Sequence, residues 1–323
     1  MANSREMNKS GLSKAADRLV LNRIRDGIDW RVKKSVRSEL GSSADSPDAV
    51  RQLVAAEVTR QLADAAERDF TLSILFGAKT RIKRTMSPKQ YNRLAREIKE
   101  ITGTSATVDM RITQEFRSLF ESEARGLGRI AGGPLNILGK LVTPSLLDLP
   151  DGPVLEIGTL HGIFAPTLMR SLRRTGSFRH LTVVDPFTGH QMQGGKNIAV
   201  DPGLTPVVEE VARRNFRELG LGDDEVRIIN GFSTDAQVQA EAGDRKYAVV
   251  VVDGDHFEDG VAKDLRWIEN IMVPGGIAIL DDYGDPKWPG VEAATTKYLA
   301  DGAKMRLLGK VWTSGFLQMP KDA

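Results

Sequence analysis

Residues 247–283, YAVVVVDGDHFEDGVAKDLRWIENIMVPGGIAILDDY, contain two apolar runs that each end in acid. The first stops at Asp253 and the second at the pair Asp281–Asp282; a helix-length segment and a Pro-Gly-Gly turn are expected between them. Continuous apolar runs of this length suit strands buried on both faces of a parallel sheet. Two such strands pointing the same way would bring three carboxylates to one rim, where open α/β sheets bind ligands. Like charges gathered at a rim repel unless a cation neutralises them, and a hard divalent metal is the simplest cation to expect. Either acidic strand end alone is also an ordinary turn. Finding both after buried runs favours a site.

Working outward, the same pattern recurs from residue 151 onward. The runs VLEIG (154–158), LTVVD (181–185), VRIIN (226–230), YAVVVVD (247–253) and GIAILDD (276–282) alternate with helical segments, which argues for a doubly wound parallel sheet. The tail differs. MRLLGKVWTSGFLQMP (305–320) holds two strand-like runs a few residues apart, a hairpin. Five parallel strands closed by an antiparallel hairpin resemble the mostly parallel, seven-stranded, Rossmann-like sheet of class I S-adenosylmethionine methyltransferases.

The front of the chain reads otherwise. Residues 1–150 carry 26 Lys+Arg against 18 Asp+Glu, and residues 151–323 carry 19 against 25. That shift suggests two structural units in different surroundings. Residues 1–45 read as a polar basic arm, partly mobile. Residues 46–150 read as a helical N-terminal region serving as an acceptor cap or in oligomerisation, which makes a homo-oligomer the expected state. Within it, helices are expected after Ser46-Pro47, after Ser87-Pro88 (with Tyr91, Leu94, Ile98 and Ile101 on one face) and over residues 112–127, followed by the glycine-interrupted stretch GLGRIAGGPLNILGK. Residues 151–323 read as the methyltransferase domain. The basic clusters RVKKSVR (31–37) and KTRIKR (79–84) read as solvated faces. They carry no strong nucleic-acid signal and at most a weak contact with an anionic surface through the arm.

The absence of cysteine excludes disulfides, thiolate metal sites and cysteine nucleophiles. With no apolar run near 18 residues and no apolar core in MANSREMNKSGLSK, the default expectation is a soluble cytoplasmic protein.

VLEIGTLHGIFAPTLMRSL (154–172) is a strand, a glycine-bearing turn and a helix. Gly158 and Gly162 would let backbone pass close to a ligand, with Thr159 between them. A pyrophosphate cradle would need G-x-G-x-x-G, and an acid at Glu156 suits a cationic ligand such as an amino-acid ammonium instead. Asp185, ending the next strand, is placed for ribose hydroxyls, and Gly231-Phe232-Ser233 for a wall against adenine. These residues together point to S-adenosylmethionine.

The blocks VVDPFTG (183–189), VVDGDHFEDGVAKDL (251–265) and VPGGIAILDDYGDPKWPGVEAA (273–294), with the glycine loop, resemble the macrocin O-methyltransferase family over residues 150–300. More distantly they resemble catechol-type O-methyltransferases. The resemblance implies a metal-dependent enzyme that methylates a hydroxyl of a sugar, glycan or glycosylated small molecule. It implies Asp253, Asp281 and Asp282 as ligands of Mg²⁺ or another hard divalent cation, and His256 as catalytic base. It also implies Glu156, Gly158 and Asp185 as cofactor contacts, with Asp253 at the boundary of both sites. A catechol-type enzyme acting on an aromatic diol keeps the same site and exchanges the acceptor. A non-catalytic scaffold of the same fold would have lost the metal site, and all three carboxylates are present. His161 and His190 read as incidental, although residues 186–206 could form a lid carrying His190 and Gln191 over the acceptor.

Overall fold

The computed structural model describes residues 56, 59, 60, 84–176, 178, 180–192 and 204–322. The chain divides into two units, residues 1–74 and 75–323. In the first, residues 56, 59 and 60 are helical and exposed. The expected basic arm, most of the helix expected after Ser46-Pro47 and nearly all of both basic clusters lie outside the described residues.

The second unit is organised on a seven-stranded sheet: β1 (Val154–Ile157), β2 (Leu181–Asp185), β3 (Val226–Asn230), β4 (Tyr247–Val252), β5 (Met272–Leu280), β6 (Arg306–Val311) and β7 (Ser314–Gln318). Their order is β3-β2-β1-β4-β5-β7-β6. The first five pair in parallel, and β7 pairs antiparallel with both β5 and β6. The strand order reverses at β1, which is the switch point where such sheets open a crevice. Pro274-Gly275-Gly276, expected as a turn ahead of the last parallel strand, lies inside β5. The register against β4 shifts there, and Gly275 takes a φ of +79°, so the segment is an irregularity that glycine tolerates without strain.

Alternation along the strands sorts the core into two layers. Val249, Val251, Ile277 and Ile279 pack with α1 (Pro88–Thr102), α2 (Val108–Arg125), α3 (Pro134–Val142), α4 (Phe164–Leu172) and α5 (Glu209–Glu218). Val250, Val252, Ala278 and Leu280 pack on the other face with α6 (Ala236–Ala242), α7 (Glu258–Ile268) and α8 (Pro289–Ala300). The expected helix over 112–127 begins four residues earlier, at Val108, a buried residue.

α1 begins where its sequence says it should. Ser87 accepts from the Gln90 amide, the Gln90 side chain accepts from the Ser87 amide, and Pro88 occupies the first turn. Ser87→Ala removes half of that reciprocal cap and is expected to cost about 1 kcal/mol; the shift in urea midpoint at unchanged m-value measures it. α2 is fastened through Glu123, whose two carboxylate oxygens accept from Nε and Nη2 of buried Arg84. Arg84 also donates to the carbonyls of Ile130 and Gly132, and so holds the loop between α2 and α3. Among the described residues, no helix is long and apolar enough to cross a membrane.

Candidate active site at the carboxyl rim

A cavity of about 1070 Å³ opens over the carboxyl ends of the parallel strands. Glu156, Gly158, Thr159, Asp185, Gly231, Phe232, Ser233, Asp253, His256, Asp281 and Asp282 all line it. Of the residues singled out from sequence, Gly162 is placed elsewhere. A Cβ there would lie 2.8 Å from the Ala212 backbone, so its glycine serves the close approach of α5. Gly158 has a φ of +81°, and a Cβ on it would lie 2.3 Å from the Asp253 carbonyl oxygen. This glycine lets the ends of β1 and β4 meet.

At the β1–β2 end, the Asp185 carboxylate accepts from the backbone amides of Thr159 and Phe187, each at 2.8 Å. Those bonds fix its orientation, and a carboxylate keeps further lone pairs for a ligand. Glu156 is buried and one of its oxygens, Oε2, has no hydrogen-bond partner. Burial, reinforced by the charge of Asp253, pushes its carboxyl up to about 8. Phe232 stands at the cavity wall, 47% exposed.

At the β4–β5 end the acids converge. Ligand atoms of Asp253, His256 and Asp281 lie within 4.8 Å of one another. The His256 ring is buried, with Nε2 3.4 Å from Asp253 Oδ1 and Nδ1 3.2 Å from Asp282 Oδ2. Burial disfavours its charged form, but the two carboxylates outweigh burial and lift it to about 10. The ring also meets Trp288 edge to face, centroids 4.8 Å apart. Asp282 takes a left-handed φ of +53°, a backbone state uncommon outside glycine.

Sequence reasoning missed the two residues that tie this cluster to the N-terminal helices. α3 is buried along its whole length, yet it carries Asn136 and Lys140 four residues apart and so on one face. Lys140 Nζ stands 2.6 Å from Asp281 Oδ1 and 3.2 Å from Asp253 Oδ2. Asn136 Nδ2 donates to the same Asp281 oxygen at 2.9 Å and to the hydroxyls of Thr313 and Ser314. Burial opposes ionisation of both acids. The Lys140 ammonium nevertheless holds Asp253 below the usual carboxylate range, while burial and the neighbouring Asp253 hold Asp281 above it. The available signal was two polar residues interrupting PLNILGKLV at helical spacing.

His161 is buried away from the reaction rim, between the Arg129 backbone and the Thr205 carbonyl. His190 is exposed at the cavity edge, and Gln191 accepts from Arg129 Nη2 at 2.9 Å. Residues 193–203 of the expected lid lie outside the described residues.

Residues 155–283 match a family model described as a methyltransferase domain. A Streptomyces olivaceus protein named 8-demethyl-8-(2,3-dimethoxy-alpha-L-rhamnosyl)-tetracenomycin-C 4'-O-methyltransferase is 33% identical over 46% of this chain and 59% of its own length. Mycinamicin III 3''-O-methyltransferase of Micromonospora griseorubida is 33% identical over 47% of this chain and 63% of its own length. The chain thus spans less than two thirds of the curated relatives it matches. The solved structure of the O-methyltransferase NovP is 24% identical and covers 72% of this chain and 99% of its own, with a TM-score of 0.45. The matched segment runs from β1 to just past β5, the strands that carry every acid of the rim, and so residues 155–283 are a methyltransferase domain on a class I sheet.

Proposed function

We propose that this protein transfers a methyl group from S-adenosylmethionine to a hydroxyl of a sugar on a glycosylated small molecule, with a divalent cation at the acidic rim. The observation that carries the reading is the pairing of two chemically different ends in one cavity. A buried glutamate with one oxygen unpartnered and an oriented aspartate lie over β1 and β2, and a carboxylate–histidine cluster lies over β4 and β5. Two relatives named as O-methyltransferases, one of them of a rhamnosyl-bearing tetracenomycin, support the acceptor class.

Donor sets decide how well each absent group fits. Glu156 suits the ammonium of the cofactor's amino-acid part, Asp185 its ribose hydroxyls, and the ring of Phe232 its adenine. Lys140 occupies one oxygen of Asp253 and one of Asp281, so a cation would be held by their opposite oxygens and by Asp282. That all-oxygen set suits Mg²⁺ with retained waters. When bound, such an ion lowers the pKa of a coordinated hydroxyl and fixes its oxygen in place. His256 stands between Asp253 and Asp282, whose charges favour its protonated form; with those carboxylates neutralised by a cation, the ring would release that proton and be free to take the one from the acceptor hydroxyl. The carboxylates keep its ring oriented, and Trp288 packs its edge. Methyl transfer then depends on alignment of donor and acceptor oxygen, which the rigid strand ends supply.

A second reading, an aromatic diol as acceptor, draws on Trp288 and Phe257 beside His256. The test has two stages. Calorimetric titration with S-adenosylhomocysteine is expected to show one-to-one binding that weakens about tenfold in Asp185→Ala, where a bidentate ribose contact is lost. Radiolabelled transfer to matched panels of glycosides and catechols, with Mg²⁺ or with chelator, then separates the acceptors. No binding by folded protein would sink the methyltransferase reading. Transfer to catechols alone would replace the acceptor, and equal rates with chelator would remove the metal.

A further inference from the structure

Three acids at one rim require compensating positive charge, and the fold already contains some. Lys140 is 1% exposed, its stem buried in a helix that is otherwise apolar except for Asn136. An ammonium is buried this deeply only when paired. Its partners are two of the three carboxylates at the rim, at 2.6 and 3.2 Å, and the ring of Phe164 lies 4.7 Å from Nζ. Asn136 adds a second tether to the same Asp281 oxygen. The cluster is therefore held from the helix side by α3, and its remaining oxygens are left for a ligand.

We propose that Lys140 is a resident cation of the acidic cluster, serving Asp253 and Asp281 while the His256 ring lies against Asp253 and Asp282. It is a positioning residue that fixes one oxygen each of Asp253 and Asp281, keeps the rim assembled with no metal bound, and makes any divalent ion bind against its charge. Only the last clause rests on the metal-dependent reading above. Two consequences follow for the intact protein. Its folding is indifferent to chelator, and its affinity for a bare divalent cation is weak until acceptor oxygens complete the shell. Exchanging the ammonium for a neutral side chain of similar length removes a unit charge a few ångströms from the ion, which raises cation affinity roughly tenfold or more. In the metal-free protein the same change strands buried Asp281 and leaves Asp253 facing only His256, and deleting the Asp281 charge relieves the strain.

The experiment uses the full chain after chelator treatment, as wild type, Lys140→Met and the double variant Lys140→Met/Asp281→Asn. Each is titrated with MnCl₂, then with S-adenosylhomocysteine, and melted with and without Mn²⁺. Expected are tighter Mn²⁺ binding by Lys140→Met than by wild type, and a metal-free melting temperature lowered in Lys140→Met and largely recovered in the double variant. Mn²⁺ should raise the melting temperature of Lys140→Met by several degrees more than that of wild type. Where wild type binds Mn²⁺, binding no tighter in Lys140→Met would overturn the role, as would a wild type that melts lower once stripped of metal. If Lys140→Met folds only in Mn²⁺, the ion has replaced the ammonium, which supports it. Should neither protein bind Mn²⁺ while wild type binds S-adenosylhomocysteine, the metal in the proposed function fails. Melting then judges Lys140 alone: recovery in the double variant upholds its role, and additive losses refute it.

Discussion

Asp282→Gly is expected to lower methyl transfer roughly 10³-fold while leaving S-adenosylhomocysteine affinity within about threefold, on the scale of a lost Lewis-acid site. Asp282 is the acid of the cluster best suited to this test. It does not touch Lys140, its side chain is 19% exposed, and its φ of +53° is one that glycine adopts freely. The substitution therefore deletes a carboxylate without leaving a buried partner charged and alone, and it relieves a backbone strain as it does so. Asp281→Asn would not separate these effects, because it also breaks the contact to the Lys140 ammonium. The carboxylate removed stands 3.2 Å from His256 Nδ1, so on the proposed reading the variant would lose both an anionic ligand for the cation and one of the two groups that orient the base. Initial rates at saturating cofactor, paired with calorimetry, check it. A variant that keeps more than about a tenth of wild-type turnover, at matched Mg²⁺, would show that Asp282 is not a ligand, since loss of a ligating anion costs well over one factor of ten.

The acids of the rim were readable because each follows a buried strand, and strand ends are marked locally by a run of β-branched residues broken by Asp-Gly or Asp-Asp. The same locality located β1 to β4 and the hairpin of β6 and β7. Reading failed where local chemistry misleads or where contacts are distant. Pro274-Gly275-Gly276 carries the composition of a turn, yet pairing with β4 resumes at once and draws it into β5. Lys140 meets Asp253 across 113 positions, and Asn136 meets Asp281 across 145. Nothing within one helix announces such a pairing, and a lysine in a glycine-broken stretch passes for a surface residue. In sequence Gly162 pairs with Gly158 as one loop for a ligand, whereas its neighbour in the fold is α5. A glycine signals close approach without saying what approaches.

Glu156 offers a test in which proton traffic reports the cofactor. In the ligand-free protein, burial holds its carboxyl at about 8, against an ordinary value of 4.5. Between those values the folded protein keeps a proton that the unfolded chain has released, so this residue makes stability fall as pH rises through the window. A cationic ammonium beside Oε2 reverses the preference and favours the ionised carboxylate. Binding at pH 7 must then expel close to one proton, and affinity must rise from pH 6 to about 8 before levelling. His256, held near 10 in the metal-free protein, contributes little in that range. Calorimetry of S-adenosylhomocysteine binding in buffers of different ionisation heat measures the release directly. In Glu156→Gln the linked proton should vanish, the pH profile should flatten, and affinity at pH 8 should drop roughly 10- to 100-fold, the range for losing a charged hydrogen-bond partner. The variant should also melt higher than wild type near pH 8, because it no longer buries a carboxylate that the unfolded chain would ionise. Weaker binding without proton release would mean that Glu156 shapes the pocket and does not meet the ammonium, since a purely steric contact has no reason to change its protonation.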